Sequence, residues 1–175
     1  LAVLMAATRI HHFGVGAIAP DASTAVFLLA GLMLASALWF IAFSVLAIGL
    51  DAVALGIVGV ADACMTPGYW LLFAGYLALW FAGRFGRVIE KLDLAAGSKL
   101  LVLAAAGVVA FFVLSNAGYY FGGGFDESMG VAEYAVRVSR YLPMYLVSTL
   151  VYAAAGVAVF AIASRLKPGR RLAAR

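Results

Sequence analysis

Charge is scarce in this chain. Asp, Glu, Lys and Arg make up 11% of its 175 residues, whereas charged residues make up about a quarter of a typical soluble domain. Hydrophobic residues make up 66%, and the mean hydropathy is +1.08. This composition excludes a soluble globular domain and predicts an all-α integral membrane protein. The net charge of +4 comes from local clusters of Lys and Arg that orient helices in membranes, so we expect no nucleic-acid partner.

The sequence also lacks the short motifs of several enzyme classes. It has no GxxxxGK[ST] loop, no HExxH, no GxSxG and no Asp/Glu-rich metal cage. A single cysteine, Cys64, leaves no partner for an internal disulfide, which disfavours a thiol–disulfide exchange enzyme. These absences favour binding over hydrolysis, and we expect no cofactor of the protein's own.

Long apolar runs dominate what is present. A helix needs about 20 apolar residues to cross the hydrocarbon core of a bilayer, and on this scale we predict about six transmembrane helices in a single domain, residues 1–175. The first is the outer end of a truncated span, and residues 22–60 are divided into two helices by a tight turn near Leu38–Ile41. The predicted spans are 1–10, the two within 22–60, 69–85, 100–114 and 141–164, with loops at His11–Ser23 and from Phe121 to about Glu133.

The basic residues set the predicted orientation. Nine of the 12 Lys and Arg residues lie between the fourth and fifth predicted spans or in the C-terminal segment, and cytoplasmic segments are enriched in these residues. We therefore expect both segments and both termini in the cytoplasm. Arg9, Arg137 and Arg140 would then lie outside, against the rule. Three loops rich in polar or glycine residues would share the extracytoplasmic face: His11–Ser23, Ala61–Tyr69 and Phe121–Phe125.

Cys64 is the first candidate site residue. It lies in a polar, turn-forming stretch, DACMTPGYW, between two apolar runs. A buried lone cysteine is often an inert small hydrophobe. The alternative is a soft thiolate ligand for a metal centre.

Asp51 and the adjacent histidines are the next candidates. A carboxylate within an apolar span is costly and is expected to face the protein interior, either as a functional group or as a hydrogen-bond partner for a loop, a Tyr or a Ser. His11 and His12 cannot both point the same way from a regular helix, so one would ligate or hydrogen-bond while the other caps or faces water.

Aromatic residues crowd the same predicted face. Most fit an interfacial belt, but those beside a pocket between helix ends could pack on a planar ligand. The glycines at 122–124 are predicted to let that loop move as a lid. On topology alone we assign His11, Asn116 and Tyr120 as further ligand-binding candidates.

Several of these segments together resemble a known family. The loop RIHHFGVGAIAPDAS, Asp51 late in the third span, DACMTPGYW after it, and FFVLSNAGYYFGGGF closing the fifth span resemble the BtuM family of bacterial cobalamin (vitamin B12) transporters. That family is similar to the substrate-binding S components of energy-coupling factor (ECF) transporters. The resemblance extends over most of the chain, and the cysteine in its loop is its most specific part.

The resemblance implies a function and a site. It implies an S-component-like helical bundle in the bacterial inner membrane that takes up cobalamin, with Cys64 coordinating the cobalt and His12, Asp51 and Tyr69 at the binding site. It also implies that Cys64 can assist removal of cyanide from cyanocobalamin. Partners would be the lipid bilayer and either an ECF coupling subunit with its ATPases, for which Ala2 and Ala6 are a possible contact, or none.

Two other functions remain open at this point. An S component for another vitamin or for a metal ion would have the same bundle, although a bare cation would call for more carboxylates and histidines than this chain offers. A thiol-dependent membrane enzyme would use Cys64 as nucleophile and His12 as base, but no third orienting residue has a recognisable spacing.

Overall fold

The computed structural model is helical in every part of the chain that it describes, with no strand in those parts. This agrees with the predicted all-α class. The described residues are 1–12, 20–34, 36–58, 66–87, 94–123 and 129–166.

Seven α-helices occupy these residues. Three segments among them are long and apolar enough to cross a membrane, Leu38–Gly56, Ala95–Phe121 and Leu142–Ala163, which fits a membrane protein. Two other helices have 11 residues each, and one has 17. In chain order the helices are α1 (Ala2–His12), α2 (Ser23–Met33), α3 (Leu38–Val53), α4 (Trp70–Gly86), α5 (Leu94–Phe121), α6 (Val131–Ser139) and α7 (Leu142–Leu166).

The long apolar run at 22–60 is divided into two helices, as predicted. α2 ends at Met33 and α3 begins at Leu38, so the break comes just before the predicted turn. Ser36 accepts a hydrogen bond from the Leu38 N–H through its hydroxyl, 3.2 Å away, and so satisfies one of the free N–H groups at the start of α3. Ser23 begins α2, as its residue type indicates.

Three predicted boundaries are wrong. α5 begins at Leu94, six residues before the predicted start of its span at Leu100. α1 continues through His12, so the predicted loop does not begin at His11. α5 continues to Phe121, although its span was expected to end before Ser115. The polar side chains there do not break α5, because Ser115 and Asn116 donate back to the Phe112 carbonyl over 3.2 and 2.8 Å within the helix.

α6 was not predicted. Its nine residues carry Glu133 in the first turn and Arg137 in the last, and most of its side chains are exposed. Tyr134 is the exception, since it is buried against α5. An exposed surface helix of this length has too short an apolar stripe to stand out beside the long spans.

α2 lies at the centre of the bundle, with every residue from Ser23 to Gly31 buried. It packs closely on α4, which also packs on α5. Gly31 and Gly83 face each other across the α2–α4 contact, where a Cβ atom on either would overlap the backbone of the other helix. This close approach is the packing that small residues allow between membrane helices.

Two short irregular helices adjoin the bundle. A π-helix, Ala54–Val58, follows α3, and a 3₁₀-helix, Pro67–Tyr69, precedes α4. Gly68 in the 3₁₀-helix lies directly against Gly118 of α5, where any side chain would collide with the α5 backbone. The 3₁₀-helix contributes Gly68 and Tyr69 to the lining of the cavity described next.

Candidate functional site: a polar cavity at one end of the bundle

A cavity of about 440 Å³ opens at one end of the bundle, which we call the cavity end. The C-terminal ends of α1, α3 and α5 meet the N-terminal ends of α2, α4 and α7 there, so consecutive long helices approach it with alternating direction. Its volume is typical of a small-molecule site. The lining residues are Arg9, Pro20, Asp21, Thr24, Asp51, Thr66, Gly68, Tyr69, Leu72, Tyr76, Phe111, Ser115, Asn116, Tyr119, Met144, Tyr145 and Ser148.

A buried ion pair forms the floor of this site. The Arg9 guanidinium donates from Nε to Asp51 Oδ1 over 2.7 Å and from Nη2 to Asp51 Oδ2 over 2.6 Å. Arg9 is 4% exposed and Asp51 3%. Two parallel N–H···O bonds fix the relative orientation of the two planar groups, so α1 is joined to the end of α3.

The remaining nitrogen of Arg9 connects two further helices. Its Nη1 donates to the Tyr76 hydroxyl of α4 over 2.7 Å and to the Ser23 hydroxyl of α2 over 3.0 Å, and lies 3.4 Å from Asp21 Oδ2. One guanidinium therefore joins α1 to α2, α3 and α4. Because an unpaired buried charge is strongly destabilising, this network holds the four helices in one arrangement.

Tyr69 links the network to the segment that precedes α4. Its hydroxyl donates to Asp51 Oδ2 over 2.5 Å, the short distance typical of a hydroxyl bound to a carboxylate. The 3₁₀-helix that carries Tyr69 is held in place by the contact between Gly68 and Gly118. Tyr69 and Asp51 thus share one wall of the cavity.

The opposite wall comes from α5 and α7. Asn116 accepts a hydrogen bond from the Tyr134 hydroxyl of α6, 3.2 Å from its Oδ1. A tyrosine hydroxyl is protonated and able to donate at neutral pH, and burial raises the pKa of Tyr134 further above its ordinary value. α6 is attached in this way to the helix that lines the cavity.

The structure brings together three of the predicted site residues: Asp51, Tyr69 and Asn116 all line the cavity. Tyr120 does not line it, because its hydroxyl donates instead to the Met129 carbonyl over 2.7 Å. Cys64 and the side chains of His11 and His12 lie outside the described part of the chain, and their predicted roles stay predictions. In sequence, Cys64 comes two residues before Thr66, which lines the cavity.

Sequence reasoning missed Arg9, Asp21 and Tyr76. Arg9 was counted among the basic residues outside the membrane, yet its side chain is buried and paired. The signal was present in the sequence, because an isolated Arg in one apolar span and an isolated Asp in another are expected to pair inside a membrane protein. Asp21 lies in the predicted loop His11–Ser23 and Tyr76 in the predicted span 69–85, and neither was singled out.

Within the described residues, no three His, Cys, Asp or Glu side chains are grouped closely enough to hold a metal ion. No model of a known protein family matches the sequence, and no curated protein matches it.

Proposed function

We propose that this chain is an uptake protein of the bacterial cytoplasmic membrane that binds cobalamin, or a close corrinoid, in a cavity facing the outside. One observation carries the proposal. Asp51 and Tyr69, two of the residues that the BtuM-like pattern assigns to the site, are 18 positions apart in the chain and hydrogen-bonded to each other at the wall of the same cavity.

The alternating helix directions at the cavity end support a six-helix transmembrane bundle. A chain that crosses the membrane six times has helices of alternating direction, and α1 to α5 and α7 alternate in this way. The burial of Arg9 also removes one of the three exceptions to the positive-inside rule, because a cation neutralised by Asp51 is not a free loop charge. Both points favour an outward-facing cavity with the termini in the cytoplasm.

The lining suits a flat ligand with polar edges. Rings of Tyr69, Tyr76, Phe111 and Tyr145 lie around the cavity, and aromatic rings pack well on flat conjugated systems. A corrinoid is larger than 440 Å³, so it would fill the cavity with one edge of its ring and extend above the mouth.

Cys64 would supply the cobalt ligand. A thiolate is a soft donor of the kind that binds soft or borderline metals. In cyanocobalamin the lower axial position holds a benzimidazole nitrogen, which the sulfur would displace.

Electron donation from sulfur would weaken the opposite Co–C bond. Cyanide could then leave as the cyanide ion with the bonding electron pair, and the cobalt would keep its oxidation state. Decyanation would be a consequence of this binding mode.

The decisive experiment is a binding measurement with cyanocobalamin on the purified wild-type protein and on Cys64→Ala. We expect the wild type to retain the ligand and to shift its visible absorption spectrum, and Cys64→Ala to lose the shift. Cys64→Ser is the matched control, since it keeps the size and polarity but replaces the soft sulfur by a hard oxygen. Identical spectra and retention for all three proteins would exclude cobalt ligation by Cys64.

Energy coupling needs its own test. An ECF coupling subunit would be recovered with the protein from its native membrane. Uptake of cobalamin in a host without any ECF module would instead establish solitary transport. The two outcomes distinguish the two partner assignments.

A second candidate is an S component for a smaller vitamin, and the cavity volume of about 440 Å³ favours it. A ligand of this size would be enclosed without extending above the mouth. Its binding would be colourless and unaffected by Cys64→Ala. Competition between cyanocobalamin and a panel of smaller vitamins therefore separates the two candidates.

A further inference from the structure

Groups of the protein take up most of the positive charge at the cavity. All the side-chain nitrogens of Arg9 donate to groups of the protein: Asp51, Tyr76, Ser23 and Asp21. A ligand carboxylate or phosphate would need a free cationic donor, as in sites that bind anions through Arg. Among the residues that line the described cavity, Arg9 is the only Lys or Arg.

The described residues that line the cavity carry a net negative charge. Two carboxylates, Asp21 and Asp51, line it together with the single guanidinium of Arg9. The Asp21 side chain is 22% exposed, and its Oδ1 accepts from the N–H and the hydroxyl of Ser23 over 2.8 and 2.6 Å. Asp21 thus stands at the start of α2, where the helix end offsets part of its charge, and its contact with Arg9 is a single long one.

Three hydroxyl groups of the wall present only acceptors. Tyr69 donates its hydrogen to Asp51, Ser115 to the Phe112 carbonyl over 3.2 Å, and Ser148 to the Tyr145 carbonyl over 3.3 Å. These directions are fixed because a carboxylate or a carbonyl can only accept. A hydroxyl has one hydrogen, so each of the three has only lone pairs left to offer a ligand.

Hydrogens that remain for a ligand are carried by neutral groups. Asn116 uses one amide hydrogen on the Phe112 carbonyl and keeps a second, and Tyr76 accepts from Arg9 through its oxygen and keeps its own hydrogen. These donors suit the oxygen of a neutral amide. Neither compensates the charge of a carboxylate brought into a site of low dielectric constant.

We infer that the cavity selects its ligand by charge and hydrogen-bond polarity, with Asp21 as a specificity-determining residue. It accepts groups that present N–H donors, such as carboxamides, and it rejects carboxylates in the same position. The inference rests on the proposed function, since the periphery of a corrinoid carries carboxamides of this kind.

The test compares cyanocobalamin with its monoacids, in each of which one peripheral carboxamide has become a carboxylic acid of nearly the same shape. Dissociation constants are measured at neutral pH on the wild-type protein. We expect at least one monoacid to bind about tenfold more weakly or worse, because repulsion from a carboxylate a few ångströms away is of that order. Equal affinity for cyanocobalamin and every monoacid would overturn the selectivity and leave the proposed function standing. Failure of all of them to bind would overturn both.

Asp21→Asn then tests the assigned residue. Asn removes the charge but is an equally good residue at a helix start. We expect the ratio of the monoacid and cyanocobalamin dissociation constants to fall several-fold toward one. Glu133→Gln is the matched control, because it removes the same charge from an exposed position on α6 that does not line the cavity. A ratio unchanged by Asp21→Asn, or lowered equally by Glu133→Gln, would exclude the role of Asp21.

Discussion

The cavity end and the α2–α4 contact hold the bundle together by opposite means. At the cavity end, helices are joined by charge and by hydrogen bonds centred on Arg9, and space is left open between them. Along the α2–α4 contact, Gly31 and Gly83 let two backbones touch, and rings such as Phe27 and Tyr76 stack at 4.2 Å between centroids. The polar contacts at the cavity end determine which side chains pair with one another. The glycine and aromatic contacts leave no open space between α2 and α4.

This difference has a physical basis in the membrane. Lipid chains are as apolar as the helices, so apolar burial alone gives helices little reason to associate, and close packing and polar contacts must do so. An open cavity cannot be close-packed, and therefore its walls depend on the polar network. The comparison predicts that the two regions respond differently to single substitutions.

The largest effect is expected from Asp51→Leu. It leaves the Arg9 guanidinium buried without its main partner, and breaking a buried pair in this way costs about 3–5 kcal/mol. The free energy of unfolding in detergent micelles measures it. The double variant Arg9→Met with Asp51→Leu removes both charges and should recover most of the loss. A double variant as unstable as the single one would show that the pair does not act as a unit.

A smaller loss is expected from Gly83→Ala. The added Cβ would overlap the Leu28 carbonyl and lie 2.8 Å from the Leu32 nitrogen, so α2 and α4 must separate, at a cost of about 1–3 kcal/mol. Gly97→Ala on α5 is the control, because nothing lies within 4 Å of its added Cβ. We expect Gly97→Ala to leave the free energy of unfolding unchanged or to raise it by up to about 1 kcal/mol. Equal effects of the two substitutions would contradict the tight α2–α4 contact.

The smallest effect on stability is expected from Tyr69→Phe. It removes one hydrogen bond to Asp51, which is worth about 1.5 kcal/mol, the low end for a bond to a charged group, because the tyrosine is only half-buried. Tyr141→Phe, at an exposed tyrosine that contacts Arg140, should change the unfolding free energy by less than about 0.5 kcal/mol. If Tyr69→Phe is as silent as Tyr141→Phe, the segment before α4 is not anchored through Asp51.

Much of the fold could be predicted from the sequence because hydrophobic length is a strong signal. The all-α class, the two helices within residues 22–60 and the start of α2 at Ser23 follow from apolar runs and helix-start residues. The end of α5 could not, since polar residues such as Asn116 usually end a span, and here they bond back to their own helix. α6 was also missed, because a surface helix of nine residues has too short an apolar stripe to stand out beside the long spans.

The candidate site was predictable only in part. Asp51 could be named because a carboxylate in an apolar span is unusual, whereas Tyr69 was named through the resemblance to the BtuM family. Their mutual hydrogen bond depends on how α3 and α4 meet, which a single sequence does not encode locally. Arg9 was overlooked because a basic residue near a loop is ordinarily a topological charge, although an isolated Arg and an isolated Asp in two apolar spans are expected to pair.

The pairing of Arg9 with Asp51 also constrains how the protein is made. The two residues are 42 positions apart, and at translation rates of about 5–20 residues per second Asp51 emerges roughly 2–8 s after Arg9. Throughout that interval Arg9 lacks the carboxylate that neutralises it in the folded protein, and an unpaired cation in apolar surroundings is costly. The native packing of α1 therefore has to wait for α3, and biogenesis couples segments that hydropathy alone would treat as independent.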